Sequence, residues 1–431
     1  MGNKVSLNIE SSRKVLPSIP KNWLSNFLVL LPFIIIYAGT VFQTTFKEIT
    51  SVSKVLAFAY MLVYIFYTRK VNTNLFLSTL IFLPLLIYGI LNSWTLKAGL
   101  SDGLRYLFPI TVLFYSYSIK EHFGLLLKFI IFFVVLNFLV QILNYFNWAR
   151  GIEQWFYYRT ENGYAYYNET AGIIRATGTV VFFGFLGFLN MVAFFIINTF
   201  YHGRFKKVFL GITLFMLLAS VSFKAFGAFL IVLLLYNYKR IYKLVLFFVL
   251  LLIGIYLTFP EKINEFVESL LLRISLYITE GNSARSESYR VMFNEIGNFN
   301  LFGQGVGVFG GPASTTYNSW YYKMVGFNWY DTKWLNLTTT DTFPPHLFVE
   351  LGIIGGLLYL LVLITPLLRR KFNKRYLLVL AIYFCLFFDM LFSFSLNNMD
   401  YLLFSLAFVY PILYYKEENS VEDEMQPIYG N

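Results

Sequence analysis

The chain has 431 residues, 58% hydrophobic and only 13% charged, with a formal net charge of +11 and a mean hydropathy of +0.61. A soluble domain carries about 25% charged residues, so this composition excludes a water-soluble globular protein, and the basic balance reads as cytoplasmic loops of a membrane protein rather than a nucleic-acid surface. The single cysteine, Cys385, excludes an intrachain disulfide and a cysteine-based metal site.

The apolar runs do not alternate with polar residues as barrel strands would. They are helical in length, since roughly 20 apolar residues cross a bilayer. The first 20 residues are polar and the run after them is long enough to span, so no cleavable signal peptide is expected. Twelve spans are predicted, near 23–42, 52–68, 74–94, 103–119, 123–146, 176–200, 206–222, 224–238, 241–259, 346–368, 375–395 and 399–415. The expected fold is an all-α polytopic membrane protein of about 12 transmembrane helices, one integral membrane domain over residues 1–431. The seventh and eighth spans are separated only by a short break at "SVSFKAF".

Orientation follows from the basic connections. Lys4, Arg13, Lys14 and Lys21 precede the first span. Arg69 and Lys70, Lys120, then Arg204, Lys206 and Lys207, then Lys239, Arg240 and Lys243, then the run from Arg369 to Arg375 fall in alternate connections. The positive-inside rule makes that side cytoplasmic. Both termini then lie inside, including an acidic tail at 416–431. The opposite face carries two real loops, 147–175 and 260–345, the second lying between the ninth and tenth spans and long enough to be a partly helical cap.

Both outer loops are rich in aromatics, among them Trp320, Tyr321, Trp329 and Trp334 in the larger. Tyr and Trp collect at lipid headgroups, and they also stack on the apolar faces of sugar rings; both readings fit. His346 is the only one of three histidines on the outer face, and it opens the tenth span. Pro344 and Pro345 set the start of that helix. Glu350 follows at i+4 on the same side and can orient the imidazole. Gly352, Gly355 and Gly356 come next, a pattern that admits a close helix neighbour. The plain alternative is an interfacial histidine bonded to headgroups.

Outer cations oppose the orientation rule and so invite a reason. They are Arg175 at the rim of the sixth span, Lys224 in the break between the seventh and eighth, and Arg285 and Arg290 in the large loop. Guanidinium groups bind phosphate oxygens bidentately, and a lipid diphosphate would suit such a set. Salt bridges to Glu280, Glu287 or Glu295 are the alternative for Arg290. The glycines of "LFGQGVGVFGG" suggest a loop folded tightly over a ligand. No D-x-D, P-loop or H-E-x-x-H occurs, so no metal-held sugar nucleotide is expected. Acids within the spans are nearly absent, with Asp389 the main one.

The pattern resembles the O-antigen ligase and Wzy-type O-antigen polymerase superfamily of bacterial polysaccharide assembly. Arg175 and Gly178 match its R-x-x-G, and Ser222 with Lys224 matches its Ser-Arg break, with Phe223 between them and Lys for Arg. Arg285 and Tyr289 match R-x-x-x-W with Tyr for Trp, and Gly305, Gly307 and Phe309 match G-x-G-x-x-x-F with an early phenylalanine. His346, Gly352 and Gly355 match the last motif, with Leu347 where the family usually has Asn. The resemblance covers nearly the whole chain.

That resemblance implies a GT-C-like, metal-independent membrane glycosyltransferase without a cofactor. It would use undecaprenyl-diphosphate-linked oligosaccharide at the periplasmic face of the bacterial inner membrane. It assigns diphosphate binding to Arg175 and Arg285, with Arg290 and Lys224 behind them, proton abstraction to His346 assisted by Glu350, and glycan contact to the cap around Trp320, Tyr321, Trp329 and Trp334. The expected activity is a polysaccharide (O-antigen or capsule) polymerase joining lipid-linked repeat units, with a flippase and a chain-length regulator as partners and no nucleic acid. An O-antigen ligase acting on lipid A core shares the chemistry. A lipid-linked oligosaccharide flippase is the alternative from another class, and it would show a charged central cavity and pseudo-symmetric halves.

Overall fold

The computed structural model describes residues 23–42, 49–157, 169–170, 173–236, 283–327, 339–368 and 372–415, with isolated positions between 242 and 272. Helix dominates. The β structure among the described residues is a two-residue antiparallel ladder, Glu169–Thr170 against Ile173–Ile174.

Among the described residues, six helices are long and apolar enough to cross a membrane, and they coincide with six of the predicted spans. Three open the chain: α1 (Trp23–Phe42), α2 (Ile49–Thr68) and α3 (Thr73–Leu91). The others are α5 (Phe123–Ala149), α6 (Phe183–Phe200) and α12 (Phe343–Ile364), which a 3₁₀ turn extends to Leu367. The outer surfaces of α2 and α3 present Val63, Phe66, Tyr67, Leu80, Ile81 and Leu91. So large an apolar belt would be a liability in water and is the expected face toward lipid. The molecule is a helical membrane protein.

The predicted count of twelve spans is not reproduced by length and apolarity. α7 (Lys206–Ala219) and α8 (Phe223–Tyr236) have 14 residues each and α13 (Lys374–Met390) has 17. At 1.5 Å per residue, 14 residues reach about 21 Å, short of a hydrocarbon core of about 30 Å. The last predicted span is broken into α14 (Met399–Leu403), a 3₁₀ turn at Leu406–Phe408 and α15 (Val409–Tyr414). The predicted span at 241–259 and the tail at 416–431 lie mostly or wholly outside the described residues.

α4 (Leu96–Ser118) departs most from expectation. It starts seven residues before the predicted boundary of 103, because Thr95 caps it by accepting the Ala98 N–H. The extra turns carry Lys97 and Asp102, and Arg105 follows just inside the predicted span. α4 packs against α2, α3, α12, α14 and α15, and although Leu96, Lys97 and Leu100 are exposed, no residue from Ser101 to its end is, so protein sheathes the part that holds Asp102 and Arg105, where an intramembrane charge is tolerated.

Within the segment expected to be the large outer loop, the described chain forms α9 (Ala284–Gly297), capped by a Ser283–Ser286 box, and two short helices, α10 (Pro312–Thr316) and α11 (Tyr321–Met324). The glycine-rich stretch between α9 and α10 packs closely on the protein's own helices, with Gly303, Gly305 and Gly307 against the backbone of Glu350, Asn92 and Ala98. α12 is broken at Gly352, whose backbone is non-helical at φ 68° and ψ −174°. Residues 300–305 enter the break. Gln304 N and Gly305 N donate to the carbonyls of Val349 and Glu350, while Ile353 N and Ile354 N donate to those of Asn300 and Leu301. A side chain at Gly303 or Gly352 would strike the opposing backbone. The expectation that Gly352, Gly355 and Gly356 admit a neighbouring helix is therefore corrected. Gly352 admits a loop, and side chains at Gly355 and Gly356 would meet only Leu351 and Phe348 of α12 itself.

Candidate functional site

The first turn of α12 carries Pro344, Pro345 and His346, with Glu350 one turn on, all buried. His346 Nδ1 lies 2.8 Å from the Phe309 carbonyl and 3.5 Å from Glu350 Oε1. Both are acceptors, so Nδ1 holds the proton and Nε2 keeps a lone pair. That lone pair faces the Asn397 amide, with Nδ2 donating across 3.2 Å. Asn397 comes from the short 3₁₀ turn Ser395–Asn397 between α13 and α14. Glu350 is fixed in turn: Oε1 accepts the Phe309 N–H at 3.0 Å and Oε2 accepts the Tyr106 hydroxyl at 3.2 Å. The Tyr106 ring stacks parallel to the imidazole at 5.1 Å, and Phe394 closes on it at 4.9 Å.

α4 supplies a second acid. Asp102 is fully buried and pairs with Arg105, whose Nε lies 3.1 Å from Oδ1 and whose side chain is 30% exposed. The charges of Glu350 and His346 act on Asp102. One donor atom each from Asp102, His346 and Glu350 lies within 4.8 Å of the other two. Oxygen and imidazole donors of this kind suit a divalent cation. As arranged, however, Nδ1 is spent on Phe309 and both Glu350 oxygens accept hydrogen bonds. A cation bound through Nδ1 would have to displace the Phe309 bond, whereas the Glu350 oxygens keep further lone pairs.

The predicted cations divide into three environments. Lys224 Nζ pairs with Asp389 Oδ1 at 3.1 Å, and Ser393 also donates to that oxygen. Arg285 pairs with Asp341 at 3.3 Å, and both of their charges act on Lys224, so Lys224 and Arg285 share one neighbourhood. Asp341 and the 389–397 link lead from there to His346, through α12 and through Phe394 and Asn397. Arg290 pairs with Glu287 on its own helix at 3.1 Å. Arg175 is the departure: it is 5% exposed, its Nε and Nη2 donate to the carbonyls of Ser220 and Val221, and its guanidinium lies on the Phe183 ring. Gln141 and Asn137 of α5 brace the backbone of residues 177–179 beside it. Arg175 thus ties the segment before α6 to the α7–α8 break.

The predicted aromatics divide similarly. Trp320 is 43% exposed, beside Trp94. Tyr321 is buried in the cap with its hydroxyl 2.6 Å from Glu295 Oε1, a core position rather than an open stacking face. Trp329 and Trp334 lie outside the described residues.

Four residues of the site were missed by sequence reading: Asp102, Arg105, Tyr106 and Asn397. For the first three a signal existed. "SDGLRY" places an acid and a base three residues apart at the head of an apolar run, and such charges point to function by default. Nothing in the sequence links Asn397 to His346 across 51 positions.

Neither a family model nor a curated protein matches the chain. The class that fold and site define is a helical membrane protein whose bundle centre holds a histidine between two carboxylates.

Proposed function

We propose that this protein is a membrane glycosyltransferase, a polysaccharide polymerase that joins lipid-diphosphate-linked oligosaccharide repeats. One observation carries the reading: His346 has its Nδ1 proton fixed by Phe309 and Glu350, which leaves Nε2 as the basic nitrogen. A general base requires one nitrogen oriented and the other available.

In the proposed step the acceptor hydroxyl displaces the Asn397 amide from Nε2 and gives up its proton there. The hydroxyl oxygen attacks the anomeric carbon of the donor, and the bond from that carbon to the diphosphate breaks. The electron pair leaves on the diphosphate, held by Lys224 and Arg285 on one side and Arg105 on the other. Such fixed charges stabilise a leaving group as its charge grows. Glu350, and Asp102 behind it, stabilise the imidazolium until its proton is released. Arg175 acts here by positioning the α7–α8 break that carries Lys224. Arg290 stays outside this set, held by Glu287.

The cytoplasmic placement of both termini, the bacterial inner membrane and an undecaprenyl carrier belong to the same proposal. A glycolipid gel of a deletion strain, complemented with wild type or His346→Ala, tests it. Core bearing a single repeat in both the deletion and the His346→Ala strain is the expected result. Unsubstituted core with accumulating lipid-linked polymer would instead mean a ligase, and normal polymer would sink the O-antigen reading.

The 4.8 Å cluster of Asp102, His346 and Glu350 favours a second reading, in which a divalent cation there activates the acceptor. Transfer that stops on chelation and returns with added Mg²⁺ or Mn²⁺ would select it.

A further inference from the structure

A cavity of about 110 Å³ with a mixed polar and apolar lining lies between α1, α2, α14 and the segment before α6. That is several times the room one water needs. Its wall combines Lys54, Asp400, Thr40, Thr50 and Asn398 with the ring of Phe185. Asp400 is 92% buried, given its 8% exposure, and accepts the Thr40 hydroxyl at 2.9 Å. The Asn398 side chain holds the Asp400 N–H.

Charges at this depth in a helical bundle are costly without a role. Lys54 and Asp400 both line the cavity, and Thr40 holds one Asp400 oxygen. One cation and one carboxylate cancel, so the site selects neither an anion nor a metal ion. Its lining offers both donors and acceptors, with the aromatic rings of Phe182 and Phe185. That combination suits a ligand whose hydroxyls both donate and accept and whose ring offers a C–H face, namely a sugar residue.

The cavity adjoins the candidate base along two routes. Asn398, in its wall, follows Asn397, which holds His346 Nε2. The charge of Arg105, the partner of Asp102, reaches Lys54.

We propose that this cavity binds one sugar residue of the acceptor glycan, and that its occupancy draws Asn398, and with it Asn397, away from His346. The ligand class rests on the glycosyl-transfer reading above. Acceptor binding would then uncover the base only when a hydroxyl is present to use it, which suppresses hydrolysis of the donor.

The test uses the full-length protein in nanodiscs. The probe is the oligosaccharide repeat released by mild acid from the host's own lipid-linked glycan, with binding read by calorimetry. Wild type and His346→Ala should both bind it. Asp400→Asn, Lys54→Gln and Thr50→Leu should bind at least tenfold more weakly. Thr50→Leu fills the cavity without touching the charged pair, so it decides the matter if a charge variant fails to fold. Wild-type affinity in a folded Thr50→Leu, or no binding by wild type, overturns the proposal. The two readings also fail separately. Inactive His346→Ala with undiminished binding by the cavity variants removes the sugar subsite alone. Active His346→Ala with weakened binding by those variants removes the catalytic assignment and leaves the subsite.

Discussion

The outer faces of α2 and α3 and the interior of α4 are built from helices of similar length, 19 to 23 residues, and they solve opposite problems. The first expose Phe66, Tyr67 and Leu91 and bury a thin stripe. The second buries Asp102, Tyr106, Tyr115 and Ser116 and exposes only its first turns. Lipid is the solvent for one and protein for the other. Hydropathy measures compatibility with lipid, so it locates the peripheral helices well and undervalues the helix that buries charge. Where a helix is sheathed by other helices, a charge survives if it has a partner there, as Asp102 has Arg105.

The comparison can be broken most severely at the point where the outer segment locks onto the centre. Gly352→Ala places a methyl group against the Gly303 and Leu301 backbone at φ 68°. It should destabilise the fold by about 3 kcal/mol or more, seen as a lower melting temperature in nanodiscs and loss of polymer. Peripheral Leu91→Ala should leave both nearly unchanged.

Next comes the centre itself. Asp102→Asn keeps the shape and removes the second negative charge beside His346. A drop of about 100-fold in transfer, roughly 2.7 kcal/mol, with the acceptor KM little altered, would show that the charge matters in the transition state. An unchanged rate would confine Asp102 to holding Arg105.

Tyr106→Phe removes one hydrogen bond to Glu350 and retains the stacked ring. About 1 to 2 kcal/mol is expected, a tenfold slower transfer with the melting temperature within a few degrees of wild type.

The smallest effect belongs to the exposed pair Lys70–Glu121, 3.0 Å apart at the end opposite the site. The Lys70 ammonium holds the Glu121 carboxyl below its usual range. Its contribution is therefore present above the unfolded carboxylate pKa and is lost as pH falls through the lower folded value. Lys70→Met should cost below about 1 kcal/mol, with no effect on transfer.

Within the candidate site, legibility followed sequence distance. His346 and Glu350 were readable because helical spacing puts i and i+4 on one side and two prolines mark the helix start. The cations were readable as charges on an apolar background, and Glu287 as one of three candidate partners for Arg290, but the partners of Lys224, Arg285 and Arg175 were not. Arg175 looked available because the carbonyls of Ser220 and Val221 that hold it are backbone atoms 45 and 46 positions away. Gly303 and Gly305 looked like a ligand loop because a glycine's freedom is visible in sequence and what approaches it is not.

By itself the sequence determined that lipid is this protein's solvent, that helices cross it, and that a histidine and a glutamate share a helical turn near one face. These follow from composition and from periods of a few residues. Only the tertiary structure decided which imidazole nitrogen is basic, since that depends on the Phe309 carbonyl and the Asn397 amide, 37 and 51 residues away. It also decided that α4 belongs to the site and that α12 opens to admit a loop at Gly352. Hydrogen bonds and ion pairs act over about 3 Å in space whatever the separation along the chain.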